Sequence, residues 1–103
     1  MSFQIGGAIL DFVVLSILNQ KDEYGYVLTQ EVKEMLDISE TAMYPALKRL
    51  EKHNLLSVYD KPYLGRNRRY YSLTSEGKTT LDQYKYEWNG FKEKLDFILE
   101  EGK

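Results

Sequence analysis

The chain contains no cysteine, a single histidine and only two prolines among 103 residues. Without cysteine it can form neither disulfide bonds nor thiolate metal sites, and one histidine does not supply the ligands of a typical zinc site. The absence of cysteine is consistent with a reducing cytoplasm. We therefore expect a cytoplasmic protein that needs no metal and no other cofactor.

Long apolar runs and catalytic motifs are also missing. The apolar run from Ile9 to Leu18 is interrupted by Asp11, is too short to span a bilayer and lacks the basic start of a secretory signal. The sequence shows no glycine-rich phosphate loop and no nucleophile beside a base at a recognisable spacing. We expect neither a membrane partner nor an enzyme.

The net charge is small, but the charged residues are unevenly distributed. The formal net charge is −2, yet residues 39–71 carry seven basic and three acidic side chains, hence +4, while the remainder carries −6. All four arginines lie within 49–69. A basic patch on an acidic body predicts contact with phosphates, and the 43% hydrophobic content predicts one globular domain.

Two helices are predicted in the first third of the chain. The segment from about Gly6 to Gln20 is apolar around almost its whole circumference, which requires burial on more than one side. This favours a partner chain, with Ile9 and Val13 in the dimer contact. A second helix is predicted over 25–36, with its buried face formed by Tyr26 or Val27, Val32, Met35 and Leu36.

The third helix, capped by Ser39, has two different faces. Met43, Leu47 and Leu50 recur at helical spacing and are predicted to enter the core. The other face carries a hydroxyl, a phenol and two ammonium groups, from Thr41, Tyr44, Lys48 and Lys52. These groups suit DNA, with Thr41 at a base edge or phosphate, although a plain solvated helix would show the same pattern.

Three further residues of this helix carry separate predictions. Pro45 should bend the helix, or else the helix begins later, near residue 43. Arg49 is a candidate DNA contact. It could equally pair with Glu51 or with a group close to Glu40. His53 should end the helix, where a partly positive ring is favourable.

A hairpin with a basic tip follows. Its predicted elements are a strand over 56–60, a loop over 61–67 and a second strand over 68–73. The candidate phosphate or minor-groove contacts are Arg66, Asn67 and Arg68. A solvated charged hairpin is the alternative. Arg69 shares a strand face with Tyr71, so its head group is expected to be held within the fold.

The last helix, predicted to be capped by Thr74 or Ser75 and to reach about residue 101, carries an apolar seam. Its members alternate at spacings of three and four: Leu81, Tyr84, Trp88, Phe91, Leu95 and Ile98. Such a seam favours pairing with a second copy, although packing within one chain remains the alternative. The predicted architecture is mostly α with a small β-hairpin: a winged helix-turn-helix DNA-binding domain over 1–74 and a dimerisation helix over 75–103.

Four segments carry a family resemblance. Tyr24-Gly25-Tyr26, the stretch from Met43 to Glu51, the stretch from Arg68 to Thr74, and Gly77 are similar to the signature of PadR-type transcriptional regulators over about residues 9–90. The resemblance implies a cytoplasmic homodimer, usually a repressor, that binds double-stranded DNA at a dyad-symmetric operator. The single C-terminal helix resembles the short subgroup that includes LmrR-type multidrug-responsive regulators. Tyr24 departs from the pattern, since many members have histidine there.

A ligand site is a further expectation. Trp88 lies on the seam, so two copies could form a slot for a planar aromatic molecule near the two-fold axis, with Phe91 and Phe12 as walls. The drug-binding relatives of the resembled family use such a dimer cavity. Lys92 argues for a neutral or anionic ligand, while the alternative is that Trp88 simply fills the dimer core.

The sequence therefore indicates a DNA-binding regulator, expected to repress its own or a neighbouring operon. A winged-helix module that binds protein, or a regulator that needs no ligand, are the alternatives.

Overall fold

The computed structural model describes residues 7–101, and this part of the chain forms four helices and one small antiparallel sheet. In chain order the elements are α1 (Gly7–Gln20), β1 (Glu23–Tyr24), α2 (Gly25–Leu36), α3 (Glu40–Lys52), β2 (Leu56–Tyr63), β3 (Arg66–Leu73) and α4 (Ser75–Glu101). The mostly helical winged fold is confirmed. Gly6, where the first helix was predicted to begin, lies outside the described residues.

The core lies between α1, α2, α3 and the inner face of the sheet. Its largest fully buried side chains include Leu15, Leu28, Met43, Leu50 and Leu56. Burying each of them removes apolar surface from water, which stabilises the fold by about 1.5–3 kcal/mol per side chain. Other apolar residues of α1 pack against this core, namely Phe12, Val13 and Ile17. Most of the apolar circumference of α1 is therefore covered within its own chain.

The buried face of α2 differs from the predicted one. Leu28 and Val32 are its buried residues, and Leu36, a further turn along, is half-buried. Tyr26 and Met35 are largely exposed because they lie off this line of residues spaced by four. The predicted burial of Val32 is confirmed, whereas that of Tyr26, Val27 and Met35 is wrong.

Helix α3 begins at Glu40, so the alternative start near residue 43 is wrong. Ser39 has the extended backbone of an N-cap residue, and the helix continues through Pro45. Met43, Leu47 and Leu50 are buried, as predicted. The bend expected at Pro45 stays a prediction, while His53 does end the helix.

The sheet has the order β1–β3–β2, and its hairpin is longer than predicted. Strands β2 and β3 pair from Leu56–Leu73 to Tyr63–Arg66, so the predicted loop over 61–67 is wrong. Only Leu64 and Gly65 form the turn, and both have positive φ, as a type I′ hairpin turn requires. Pro62 is tolerated in the strand because β2 is an edge strand, where a missing N–H leaves no partner unbonded.

A tight junction joins α3, the sheet and α4. The Thr74 hydroxyl accepts a hydrogen bond from the Gly77 N–H at 2.9 Å and donates one to the Asn54 carbonyl at 2.7 Å. Thr74 is therefore the residue whose side chain caps α4. Gly77 packs so closely that an added Cβ would overlap the Leu55 carbonyl and lie 2.6 Å from the Leu73 side chain.

The first part of helix α4 packs against the domain, and the rest extends away from it. Leu81 is 0% exposed, and Tyr84 packs edge-on against Phe12 with ring centroids 6.0 Å apart. Beyond Tyr84 almost every side chain to residue 100 is exposed. The seam is therefore divided: the predicted dimer contact at Leu81 is wrong because its own chain already covers it.

Candidate nucleic-acid interface

The outer face of α3 presents the predicted polar stripe to solvent. Thr41, Tyr44, Lys48 and Lys52 are all exposed, and Tyr44 is 65% exposed. The Lys48 ammonium lies over the Tyr44 ring, 5.6 Å from its centroid. A cation held beside a phenol offers both charge and a hydrogen-bonding group to a phosphate.

The first turn of α3 leaves its backbone donors without a side-chain cap. Ser39 makes no cap hydrogen bond, because its hydroxyl pairs with the Thr41 hydroxyl at 2.8 Å instead. The free N–H groups and the positive end of the helix dipole suit an anion. The Ser39 contact also orients Thr41 at the end of the polar stripe.

A carboxylate stands beside this helix start, and its charge is offset. Glu40 accepts hydrogen bonds from the Gln30 amide at 3.2 Å and from the Lys33 ammonium at 3.3 Å. The Gln30 hydrogen bond, followed by the Lys33 hydrogen bond and charge, lowers the pKa of Glu40. This carboxylate of α3 is thus held ionised against α2, where the Lys33 charge reduces its repulsion of a phosphate.

A groove of about 360 Å³ lies between the start of α2, the outer face of α3 and strand β3. Tyr26, Tyr44 and Arg69 are exposed residues on its lining. The prediction that the Arg69 head group is held within the fold is wrong. Its strand face points toward α3, so the guanidinium adds a further cation beside the polar stripe.

The hairpin tip carries the second group of predicted contacts. Arg66 and Asn67 are exposed directly after the Leu64–Gly65 turn. Arg66 pairs with Tyr63 across the strands, while Asn67 lies on the opposite face of the hairpin. Both side chains extend from a paired strand rather than from the loop that the sequence predicted.

Arg68 differs from its neighbours because aromatic rings hold it. Its guanidinium lies 3.7 Å from the centroid of Tyr63 and 4.5 Å from that of Tyr24. Tyr24 in turn contacts Tyr70, which stacks on Tyr59 with centroids 5.5 Å apart. This row of rings on the outer sheet face stiffens the hairpin, and a stacked guanidinium keeps its N–H edge available for an anion.

Arg49 is held by a carboxylate of α1, although it lines a groove on α3 together with Lys48 and Lys52. Its guanidinium donates two hydrogen bonds to the Asp11 carboxylate of α1, one from Nη2 and one from Nε at 3.4 Å. Hydrogen bonding to Asp11 raises the pKa of Arg49. The predicted partners Glu51 and Glu40 are wrong, because the ion pair joins α3 to Asp11 of α1 instead. The contact of Arg49 with DNA stays a prediction.

The predicted ligand residues are only partly assembled in one chain. Trp88 is 38% exposed and contacts Phe91, with ring centroids 6.3 Å apart. Phe12 packs on Tyr84 instead of joining these two rings. Lys92 forms an ion pair with Asp96 at 3.2 Å, one turn further along α4. A carboxylate therefore adjoins the charge by which Lys92 was expected to select a ligand.

Two other kinds of site are absent from the described residues. Within 7–101, no helix has the length and apolarity needed to cross a membrane. The same part of the chain brings no three metal-ligating side chains of His, Cys, Asp or Glu together.

Comparison with known proteins decides the family. Residues 14–83 match the model of the transcriptional regulator PadR-like family. The chain belongs to this family. A PadR family transcription regulator from Clostridium difficile is 40% identical and superposes with a TM-score of 0.80, over 87% of this chain and 97% of that one.

Two further relatives have much the same length as this PadR-like chain. A crystal structure of a Streptococcus mutans protein is 36% identical, with a TM-score of 0.88, and covers 97% of this chain and 94% of its own. An uncharacterised protein of Lysinibacillus sphaericus is 34% identical over 96 residues, 88% of each chain. The likeness therefore extends over the helices, the wing and most of α4.

Family membership fixes the general activity. PadR-like proteins are DNA-binding transcription regulators and not enzymes, so DNA is the partner of this chain. The exposed stripe on α3 and the basic wing of the PadR-like fold are the chemical features suited to that partner.

The sequence interpretation missed two features of this PadR-like regulator. The row of aromatic rings on the outer sheet face was missed because its tyrosines lie far apart in sequence. They meet only through the β1–β3–β2 pairing. The Asp11–Arg49 pair left one signal, a lone carboxylate within an apolar helix, which was read only as an argument against a membrane span. A charge in such a helix requires a partner, but the sequence does not show which basic residue supplies it.

Proposed function

We propose that this PadR-like regulator is a homodimeric repressor that binds a dyad-symmetric operator of its own or a neighbouring operon. It would act in the cytoplasm, where such an operon is transcribed. The observation that carries the proposal is the exposed stripe on α3, where a threonine hydroxyl, a tyrosine phenol and two lysines share one face. This stripe and the arginine-bearing wing belong to the same domain.

Helix α3 is the proposed recognition helix, entering the major groove. Thr41 lies in its first turn and reaches a base edge or a phosphate. Tyr44 and Lys48 bind phosphates, and Lys52, a turn further, reaches the backbone as it leaves the groove. The Lys33 partner of Glu40 limits repulsion near the helix start.

The wing is proposed to follow the phosphate backbone. Arg66 and Asn67, at the tip, are its most exposed contacts. Arg68 contributes its N–H edge while Tyr63 and Tyr24 fix its orientation. Because the hairpin is paired up to the turn, little conformational freedom is lost when the wing binds.

The outer half of α4 is proposed as the dimer contact. Trp88, Phe91, Leu95 and Ile98 form an exposed apolar stripe on the part of the helix that leaves the domain. Pairing with a second copy would remove this stripe from water, with Ile9, Val13 and Tyr84 at its margin. The single C-terminal helix supports the proposal that the chain belongs to the LmrR-type short subgroup.

Release from DNA is proposed to follow binding of a planar aromatic molecule between the two copies of Trp88 and Phe91. A ligand that prefers one dimer geometry shifts the population toward it and changes the separation of the recognition helices. Half-sites one helical turn apart tolerate little change in that separation.

Fluorescence anisotropy tests the DNA proposal against a protein-binding winged-helix module. The probe is a labelled duplex selected by the unaltered protein from a randomised pool, titrated at two salt concentrations. We expect tight binding that weakens steeply as salt rises, since phosphate contacts release counterions. Failure to retain any duplex, or binding insensitive to salt, would favour the protein-binding module instead.

A further inference from the structure

One carboxylate is buried in the part of the chain that the structure describes. Asp11 is 8% exposed and is the only charged residue among the buried ones there. It occupies the middle of α1, where its neighbours along the chain are apolar. A buried carboxylate without a partner would strongly destabilise the fold, so its counter-charge is part of the design of this site.

That counter-charge comes from α3. Arg49 spans 38 positions of sequence to bond both Asp11 oxygens, and the fork of its guanidinium matches the carboxylate. The guanidinium also lies along the first turn of α1, beside Gly7. The two hydrogen bonds restrain the rotation of α3 relative to α1 as well as the distance between the two helices. A packed leucine would not restrain the rotation.

A third helix adjoins the pair. Tyr84 of α4 packs against Phe12, the residue that follows Asp11. Burial, and after it the charge of Asp11, raises the pKa of Tyr84, so the phenol lies within electrostatic reach of the carboxylate. The pair therefore stands where α1, α3 and the inner half of α4 meet.

We propose that Asp11 and Arg49 are positioning residues of the DNA reader, whose forked ion pair fixes the orientation of α3 on the α1–α4 layer. The inference rests on the proposed function, because α3 is the recognition helix only if this chain reads DNA through it. Arg49 then acts through Asp11 and touches no phosphate.

The proposal has a mechanical consequence for the dimer. The outer half of α4 carries the proposed dimer stripe, so the α1–α4 layer sets where each domain sits. Arg49 and the polar stripe both lie on α3. A small rotation of α3 therefore moves the stripe relative to the rigid groove of the DNA. Loosening the pair should therefore weaken binding to a selected sequence more than binding to arbitrary DNA, where alignment matters less.

The test compares Asp11→Asn, Arg49→Gln and the double variant in full-length protein. The probes are a duplex selected by the unaltered protein from a randomised pool and an unrelated duplex of equal length, at several salt concentrations. At a temperature where all variants are folded by circular dichroism, we expect each to lose about tenfold in affinity for the selected duplex, a typical effect for residues that couple two elements. The unrelated duplex should lose less than about twofold, and the salt slope should not change.

Two further comparisons separate positioning from other roles. The double variant should lose no more affinity than the single variants, because both remove the same link. Lys78→Gln and Asp82→Asn are the controls, because they remove the charges of an ion pair within α4. They should change the affinity for each of the two duplexes by less than about twofold.

Several outcomes would overturn the positioning role. A salt slope lowered by about one in Arg49→Gln, with no effect of Asp11→Asn, would make Arg49 a phosphate contact. Equal losses on both duplexes, or none on either in folded variants, would leave no role in alignment. An unaltered protein that binds no duplex overturns the proposed function itself, whereas one that binds while its variants fail these expectations overturns only the positioning role.

Discussion

At the scale of single residues, what distinguishes α3 is the chemistry of its exposed side chains. Tyr44 and Lys48 lie one turn apart and already contact each other as a cation over a ring. Such a pair spends less conformational entropy on binding than two free side chains would. This is why we assign phosphate contact to these two residues, while Thr41 in the first turn is assigned to a base edge or a phosphate.

Lys48→Ala tests that assignment. Removing one ammonium that neutralises a phosphate should weaken binding roughly uniformly across DNA sequences and lower the slope of log K against log salt by about one. Fluorescence anisotropy over a series of salt concentrations measures the slope. Lys85→Ala, an exposed lysine on α4, is the control and should leave it unchanged. An unaltered slope in Lys48→Ala would remove this residue from the interface.

Trp88 supports a second prediction at this scale. It is the single tryptophan, it is partly exposed, and it contacts Phe91. A planar aromatic ligand stacking between two such pairs should quench its fluorescence, because stacking changes the environment of the indole. A panel of neutral, anionic and cationic planar aromatics, titrated against the protein, measures this. If no member quenches Trp88, the ligand proposal fails and the regulator is ligand-independent.

The position of a side chain could be predicted where the local sequence pattern sets it, but not where a distant partner sets it. The exposure of Thr41, Tyr44, Lys48 and Lys52 follows from helical periodicity alone, and the structure confirms it. Arg49 lies on the same helix, but its orientation is set by Asp11, 38 positions away. No local pattern encodes such a long-range contact, so its ion-pair partner was predicted wrongly.

At the scale of elements, the junction around Gly77 holds the wing and α4 together. Thr74 bonds both to Asn54, after α3, and to the first turn of α4. The close approach of Gly77 to Leu55 makes this junction possible only without a side chain at 77. The wing is therefore anchored at its base as well as stiffened by its ring row.

Two matched glycine substitutions in α4 should have opposite effects. An added methyl group at Gly77 overlaps the Leu55 carbonyl, so Gly77→Ala should lower the free energy of unfolding by about 2 kcal/mol. Gly90 is exposed in the same helix with nothing within 4 Å of an added Cβ, so Gly90→Ala should raise it by about 1 kcal/mol. Urea denaturation measures both. A Gly77→Ala variant as stable as the unaltered chain would contradict the described packing.

The elements themselves were predictable to different degrees. Four helices were predicted, and their bounds agree with the structure to within a residue or so, because apolar periodicity and caps mark them. Strand β1 was missed because two residues carry no period, and it exists only through pairing with β3. The hairpin was predicted too short because Pro62 and the basic run resemble a loop, while their pairing across an edge strand cannot be read locally.

At the scale of the whole molecule, α4 gives the chain its elongated shape. The described part measures 59 × 32 × 21 Å, and the outer half of α4 extends beyond the domain with its apolar stripe exposed. An isolated helix with such a stripe is unfavourable in water. A second copy of the chain is the proposed cover.

Leu95→Glu tests whether this stripe joins two copies. A charge placed in an apolar contact is costly, so the variant should be a folded monomer by analytical ultracentrifugation and circular dichroism. Tyr86→Glu makes a comparable change on the opposite side of α4, where the tyrosine is 77% exposed, and should leave the dimer intact. A Leu95→Glu protein that remains dimeric would move the contact elsewhere.

The central claim is that two recognition helices, held at a fixed separation in a dimer, read two half-sites. The dependence of affinity on half-site spacing tests this claim most directly. Anisotropy titrations would use duplexes carrying two copies of the selected half-site at increasing centre-to-centre distances. We expect the tightest binding near one helical turn, about 10 base pairs, and a sharp loss when about five more are inserted, because the second site then faces away. Equal affinity at every spacing, or for a single half-site, would contradict a dimer that reads DNA through paired α3 helices.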